Sequence, residues 1–402
     1  MRKERIPLSI DAAGDQADAL SKARKTTLKW LKLKDPNVID LALAVVVANK
    51  APGDPVWLLL VGPSSSGKSE IIRGLFSCGE HIHPLGGFTA NTFMSGFDKK
   101  KKAGLLQRLP KVVTLVVKDF GTILVLRHDD KATILQQLRE IYDGAYQKDY
   151  GNGKVVKWKG RIGLLGAVTT AIEAHHAVIG ELGNRYLLYR FRSDTGDRHE
   201  VASLAMKDEG LEAIMRDEIA DALFAAVEDA LEPKAVDIPD EIRQKLASLA
   251  DLVSRLRSPV SRNSYDKTVN YQPDIEGPGR LAKSLAKLGK GLAALRGKVL
   301  MTENEYKVVR VVGRDTVPQR RIALIQELSD GKWHSNKKLS LKLNIPQSTL
   351  TLALEDMLQI GVLKRKVDVE EGKQIKKTTP YKWRLRKSIG ELLETTELFA
   401  PN

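Results

Sequence analysis

The stretch Leu58-Leu59-Leu60-Val61 followed by Gly62-Pro63-Ser64-Ser65-Ser66-Gly67-Lys68-Ser69 limits the possible folds more than any other part of the chain. Its apolar run reads as a buried strand, and the amphipathic residues 70–76 after it read as a helix. A strand that turns into a helix through the pattern G-x-x-x-x-G-K-[ST] belongs to an α/β fold, and the pattern has a chemical reason. Backbone N–H groups of the loop surround a phosphate, Lys68 neutralises charge on the β- and γ-phosphates, and Ser69 offers its hydroxyl to Mg²⁺. The expected ligand is ATP or GTP with Mg²⁺, gripped by Gly62, Pro63, Ser64, Ser65, Ser66, Gly67, Lys68 and Ser69. Without the flanking strand and helix the same residues would read as a serine-rich surface turn.

The surrounding sequence supports a parallel sheet. Residues 1–26 are polar and read as loosely ordered, 27–49 carry apolar residues at helical spacing, and Ala51-Pro52-Gly53-Asp54-Pro55 breaks the chain before the first strand. From there to Arg192, β-branched runs at 112–117 and 164–169 alternate with a helical stretch at 131–142, the signature of strands joined by crossover helices. Beyond Arg192 the segments 211–231, 240–256, 279–295 and 303–314 have apolar residues three or four apart and read as a helical domain. Pro318 opens a last unit in the order helix, helix, helix, strand, strand, which suggests a winged helix-turn-helix. The expected division is an extension at 1–34, an α/β nucleotide-binding core at 35–205, a helical lid at 206–317, a winged helix at 318–387 and a frayed acidic tail at 388–402.

Charge points to the partner. The chain of 402 residues carries a net charge of +15, a field that favours a polyanion such as nucleic acid. Residues 318–387 hold 16 Lys/Arg against 7 Asp/Glu, so +9 of the total lies where the DNA-binding fold is expected. The one cysteine, Cys78, has no disulfide or metal partner and reads as a small core residue. The longest apolar runs are too short to span a bilayer and there is no apolar signal segment, so a cytoplasmic protein without membrane contact is expected.

A phosphate-cleaving site also needs an acid at the end of a neighbouring strand. Val112-Val113-Thr114-Leu115-Val116-Val117-Lys118-Asp119 supplies Asp119, as the metal-side aspartate or as the acid that polarises the attacking water; the sequence leaves both open. Thr169 ends the next strand with a hydroxyl able to orient that water, and Arg185 precedes a fourth strand, where an arginine can reach a neighbouring subunit's γ-phosphate.

These stretches, in this order, resemble AAA+ ATPases, and more narrowly the minichromosome-maintenance replicative helicases and related helicases of bacterial mobile elements and phages. The resemblance makes Arg185, in Gly183-Asn184-Arg185-Tyr186-Leu187-Leu188, the counterpart of the arginine finger, Thr169 the counterpart of an asparagine sensor, and Arg280, in Glu276-Gly277-Pro278-Gly279-Arg280-Leu281, the counterpart of the second sensor. Where those families carry Asp-Glu, this chain has Lys118-Asp119. Gly151-Asn152-Gly153 between β-favouring flanks predicts a hairpin, and in the resembling helicases a hairpin here projects into the ring's pore, so Lys154, Lys157 and Lys159 would grip single-stranded DNA, with Trp158 at its base or against a base; an ordinary surface hairpin is the alternative. In the last unit, residues 335–343 would position and 347–360 would read duplex DNA through Gln347, Ser348, Thr349 and Thr351, while Lys364, Arg365 and Lys366, with Lys373, Lys376 and Lys377, contact phosphates. The resemblance implies an ATP-driven hexameric ring that moves on or melts DNA; an ATP-gated transcriptional regulator and a helicase loader are the alternatives.

Overall fold

The computed structural model describes residues 10–94, 104–151, 153, 155–175, 180, 184–191, 198–263, 265–368 and 380–401. The chain divides into two compact units, one formed by residues 1–172, 185–239 and 286–306, the other by 173–184, 240–285 and 307–402.

The first unit is mixed α/β. Five strands, β1 (Trp57–Val61), β2 (Ile82–Leu85), β3 (Val112–Val117), β6 (Arg161–Val168) and β7 (Leu187–Arg190), form a parallel sheet in the order β2-β3-β6-β1-β7. Between β3 and β6 an antiparallel hairpin is inserted, β4 (Ala145–Asp149) with β5 (Val155–Lys159). All five residues of β1 are buried, which is why the strand reads as an unbroken apolar run. Asn49 closes the entrance to it: its side-chain carbonyl accepts from Val56 N at 2.8 Å and its amide donates to Val56 O at 3.0 Å. A Cβ at Gly163 would stand 2.0 Å from that Asn49 amide nitrogen, so β6 admits only glycine there.

The helix Asn37–Lys50 is buried along nearly its whole length, and Asp40, inside it, is fully buried with its charge answered by Arg24 and Arg296. Arg296 Nη1 also donates to Glu305 at 2.9 Å, as does Lys298, while Thr302 donates to the other oxygen of the same carboxylate. Two buried carboxylates thus share one guanidinium, which spares either from standing alone in a low-dielectric interior. Cys78 is buried, as its isolation in the sequence suggests. Among the described residues no helix is long and apolar enough to cross a membrane.

Two expectations of disorder are corrected. Residues 10–30 form a helix, Ile10–Trp30, with Leu20, Ala23, Thr27 and Trp30 buried. At the other end, Lys387–Thr396 is a helix that buries Ile389 and Leu393 against Asp240–Arg257. Both carry a narrow apolar stripe among many charges, so their mean composition hides their pattern.

In the second unit three helices, Gln319–Leu328, Asn336–Leu343 and Gln347–Gln359, pack against a three-stranded antiparallel sheet in the order β8-β10-β9, where β8 is His334–Ser335, β9 is Leu363–Val367 and β10 is Tyr381–Leu385. Asn344, at φ 52°, ends the second helix in the left-handed region. Arg321, almost wholly buried, donates to Leu256 O and Ser258 O at 2.8 and 2.7 Å and satisfies carbonyls at the end of Asp240–Arg257.

Candidate functional site

The loops leaving the carboxyl ends of β1, β3 and β6 open on one cavity of about 1180 Å³, the edge at which open α/β sheets take their ligands. Its lining includes Pro63 to Ser69, Asp119 and Thr169, so three separate sequence signals meet in one place.

The loop starts where Gly62 N donates to Val168 O at 3.1 Å, and ends at Gly67, whose φ of 81° only glycine adopts at little cost before the helix Lys68–Gly74. Ser65 is also left-handed, at φ 59°, a strain on the order of 1 kcal/mol for a non-glycine residue. Lys68 lies at the bottom, only 6% exposed. Its ammonium donates to Gly62 O at 2.8 Å, to Pro63 O, and to Ser66 Oγ at 2.9 Å. Burial lowers its pKa below the ordinary lysine value, and the Asp119 carboxylate partly opposes that shift. A buried cation held by neutral oxygens is a group an anion can claim.

Asp119 is exposed, and its Oδ1 accepts from Gly121 N at 2.8 Å, which fixes the carboxylate at the end of β3. Ser69 and Thr169 are half-buried. No group of three or more His, Cys, Asp or Glu able to hold a metal occurs among the described residues. Ser69 and Asp119 are two oxygen donors on one cavity. That set fits Mg²⁺ shared with a ligand's phosphates, since this ion keeps most of its shell from water and phosphate.

One wall escaped sequence reasoning. Trp30, Leu31, Leu33, Asp35 and Val38 line the cavity, facing Tyr189, Phe191 and helix Arg198–Lys207. The Tyr189 hydroxyl donates to Asp35. The apolar cluster Trp30–Leu33 in an otherwise polar stretch was the available signal, and an extension assigned to 1–34 passes over it.

Arg185 is placed differently from the cavity residues. It is buried beside Tyr142, 5.3 Å from the ring centroid, and donates to both oxygens of Asp143 at 3.1 and 3.0 Å. Arg280, half-buried, stands in the first turn of the helix Gly279–Leu295, on the part that belongs to the second unit.

The hairpin has two distinct faces. Tyr146, Val156 and Trp158 are buried on one, so Trp158 packs at the base, whereas Lys157 and Lys159 are exposed on the other. Lys154 and Asn152 lie outside the described residues, as do Gly183, Lys373, Lys376 and Lys377. In the second unit Gln347 and Ser348 are exposed and Thr349 is half-buried, while Leu350, Leu354 and Met357 are buried. The Thr351 hydroxyl is committed inside the fold: it donates to Gln347 O and accepts from Asn336 Nδ2, both at 2.8 Å, and the Asn336 carbonyl in turn accepts from Trp383 Nε1. Lys364, Arg365 and Lys366 are exposed along β9.

Fold and site together define a mixed α/β protein with a parallel sheet and one large cavity at the sheet's carboxyl edge. Compared with known proteins, the chain matches no family model and no curated protein.

Proposed function

We propose that this protein is a P-loop ATPase of the AAA+ kind, assembled by that resemblance as a hexameric ring, that moves on or melts DNA. The observation that carries the reading is the convergence of Lys68, Ser69, Asp119 and Thr169 on one cavity at the end of β1. Lys68 would exchange its three loop oxygens for phosphate oxygens and neutralise their charge. Backbone N–H groups of the loop hold the same phosphates, and the Thr169 hydroxyl orients the attacking water. Asp119 acts either beside the metal or on that water. Bound Mg²⁺ would supply charge neutralisation across the phosphates, held on the protein side by Ser69 and Asp119. Trp30, Leu33 and Val38 offer the apolar surface a base needs.

The sheet order β2-β3-β6-β1-β7 and the hairpin before β6 support the AAA+ assignment. The three helices and antiparallel sheet of the second unit support a winged helix, whose exposed Gln347 and Ser348 suit duplex DNA. That last observation also favours the rival reading, an ATP-gated DNA-binding regulator. Strand displacement on forked DNA, with and without ATP, separates the two: ATP-dependent unwinding that Lys68→Ala abolishes supports the motor, and ATP-dependent binding without unwinding supports the regulator.

A further inference from the structure

The three-stranded sheet of the second unit has one face turned to the core and one to solvent. His334, Trp383, Leu363 and Leu385 are buried on the first. Pairing in register places Lys364 directly opposite Arg384, and Lys366 directly opposite Lys382, on the second. Like charges directly opposite on a sheet destabilise it, and among the described residues the one carboxylate that an ion pair brings to these four cations is Asp368, 2.7 Å from Lys382. Trp333, just before β8, stands with this group: Lys366 Nζ lies 4.7 Å and the Arg384 guanidinium carbon 4.9 Å from its ring centroid. Cations on long side chains are normally mobile, and contact with the ring holds these two in place. Alternate residues of a strand stand about 7 Å apart, the scale on which phosphates follow one another along an extended nucleic-acid strand.

We infer that this outer sheet face, formed by Trp333, Lys364, Lys366, Lys382 and Arg384, is a binding surface for single-stranded nucleic acid, separate from the helix Gln347–Gln359. Ordered cations beside an aromatic ring match the two recognition elements of a single strand, its phosphates and the open faces of its bases. A duplex presents the first and hides the second. The inference shares the nucleic-acid partner of the reading above but needs neither nucleotide nor a ring.

The test is fluorescence anisotropy of the full chain, without nucleotide, with a labelled oligothymidylate of about 20 nucleotides and a blunt hairpin duplex. Lys364→Ala with Lys366→Ala and Arg384→Ala should weaken oligothymidylate binding about tenfold or more and reduce the slope of log affinity against log salt by about 2, with a smaller loss for the duplex. Trp333→Leu should weaken the single strand alone, and Trp333→Phe should restore much of it. Lys364→Ala with Arg384→Ala should cost more than Arg243→Ala with Lys387→Ala, which removes equal charge from exposed positions off this face. Equal losses in those two pairs, equal losses for single strand and duplex, or unchanged oligothymidylate binding in the triple variant would each overturn the inference, as would competition by polyglutamate at the same charge concentration. Failure of unwinding or of ATP binding would leave these measurements intact, so the two readings fail separately.

Discussion

Arg185 donates to both carboxylate oxygens of Asp143, yet the two partners differ in environment: the Arg185 side chain is 4% exposed and the Asp143 side chain 55%. A trans role for Arg185 therefore requires the pair to open when a neighbour's nucleotide arrives. Arg185→Ala should cost about 1–2 kcal/mol of stability in thermal or urea unfolding, because the carboxylate left behind is solvated. If the arginine acts in trans, mixing Arg185→Ala with Lys68→Ala subunits should restore part of the ATPase, since one boundary then has an intact loop and an intact arginine. No recovery in mixtures shown to co-assemble would place the role in cis.

Lys68→Met keeps the length of the buried side chain and removes its charge. Affinity for a fluorescent ATP analogue should fall about 30-fold, the equivalent of about 2 kcal/mol for a hydrogen bond to a charged group, with the fold retained by circular dichroism. Unchanged affinity would move the nucleotide elsewhere.

With Asp119→Asn the geometry at the end of β3 survives, because an amide oxygen still accepts from Gly121 N. ATP binding should persist while hydrolysis slows about 100-fold or more. Single-turnover phosphate release reads the difference, and a normal rate would assign the acid to another residue.

The exposed hairpin pair Lys157→Ala with Lys159→Ala should leave stability within about 0.5 kcal/mol and basal ATPase intact. Unwinding should collapse, and the salt slope of single-strand binding should become shallower by about 1.4 as two phosphate contacts are lost. Wild-type unwinding by this variant would remove the hairpin from the mechanism.

Burial disfavours the charged form of Glu305, but hydrogen bonds from Thr302, Arg296 and Lys298 outweigh it and hold the carboxyl down to about 2, against an ordinary 4.5. Its folded value is depressed, so its contribution to stability is complete above 4.5 and is lost as pH falls toward 2. Glu305→Gln should destabilise the protein by about 3 kcal/mol near neutrality by leaving buried cations under-paired. It should also flatten the fall of unfolding free energy between those pH values; an unchanged pH profile would contradict the assignment.

Much of the first unit was legible in the sequence because its strands are buried on both faces and written as apolar runs: 112–117 is found at Val112–Val117, and the loop from Gly62 to Ser69 declares itself through its glycine and Lys-Ser spacing between an apolar strand and an amphipathic helix. The hairpin was legible for a similar reason, since turn residues at 151–153 between β-favouring flanks are a local signal. Edge strand β2, only four residues long and interrupted by Pro84, has no such pattern. What the tertiary structure decided was partnership. Nothing in the order of residues says that Asp35 meets Tyr189, that Arg185 is held by Asp143, that the Thr351 hydroxyl is taken up by Asn336, or that Lys364 faces Arg384 across two strands. Periodicity records which side of an element is buried; which residue from a distant segment lies against it depends on packing and register, and those exist only once the chain has closed on itself.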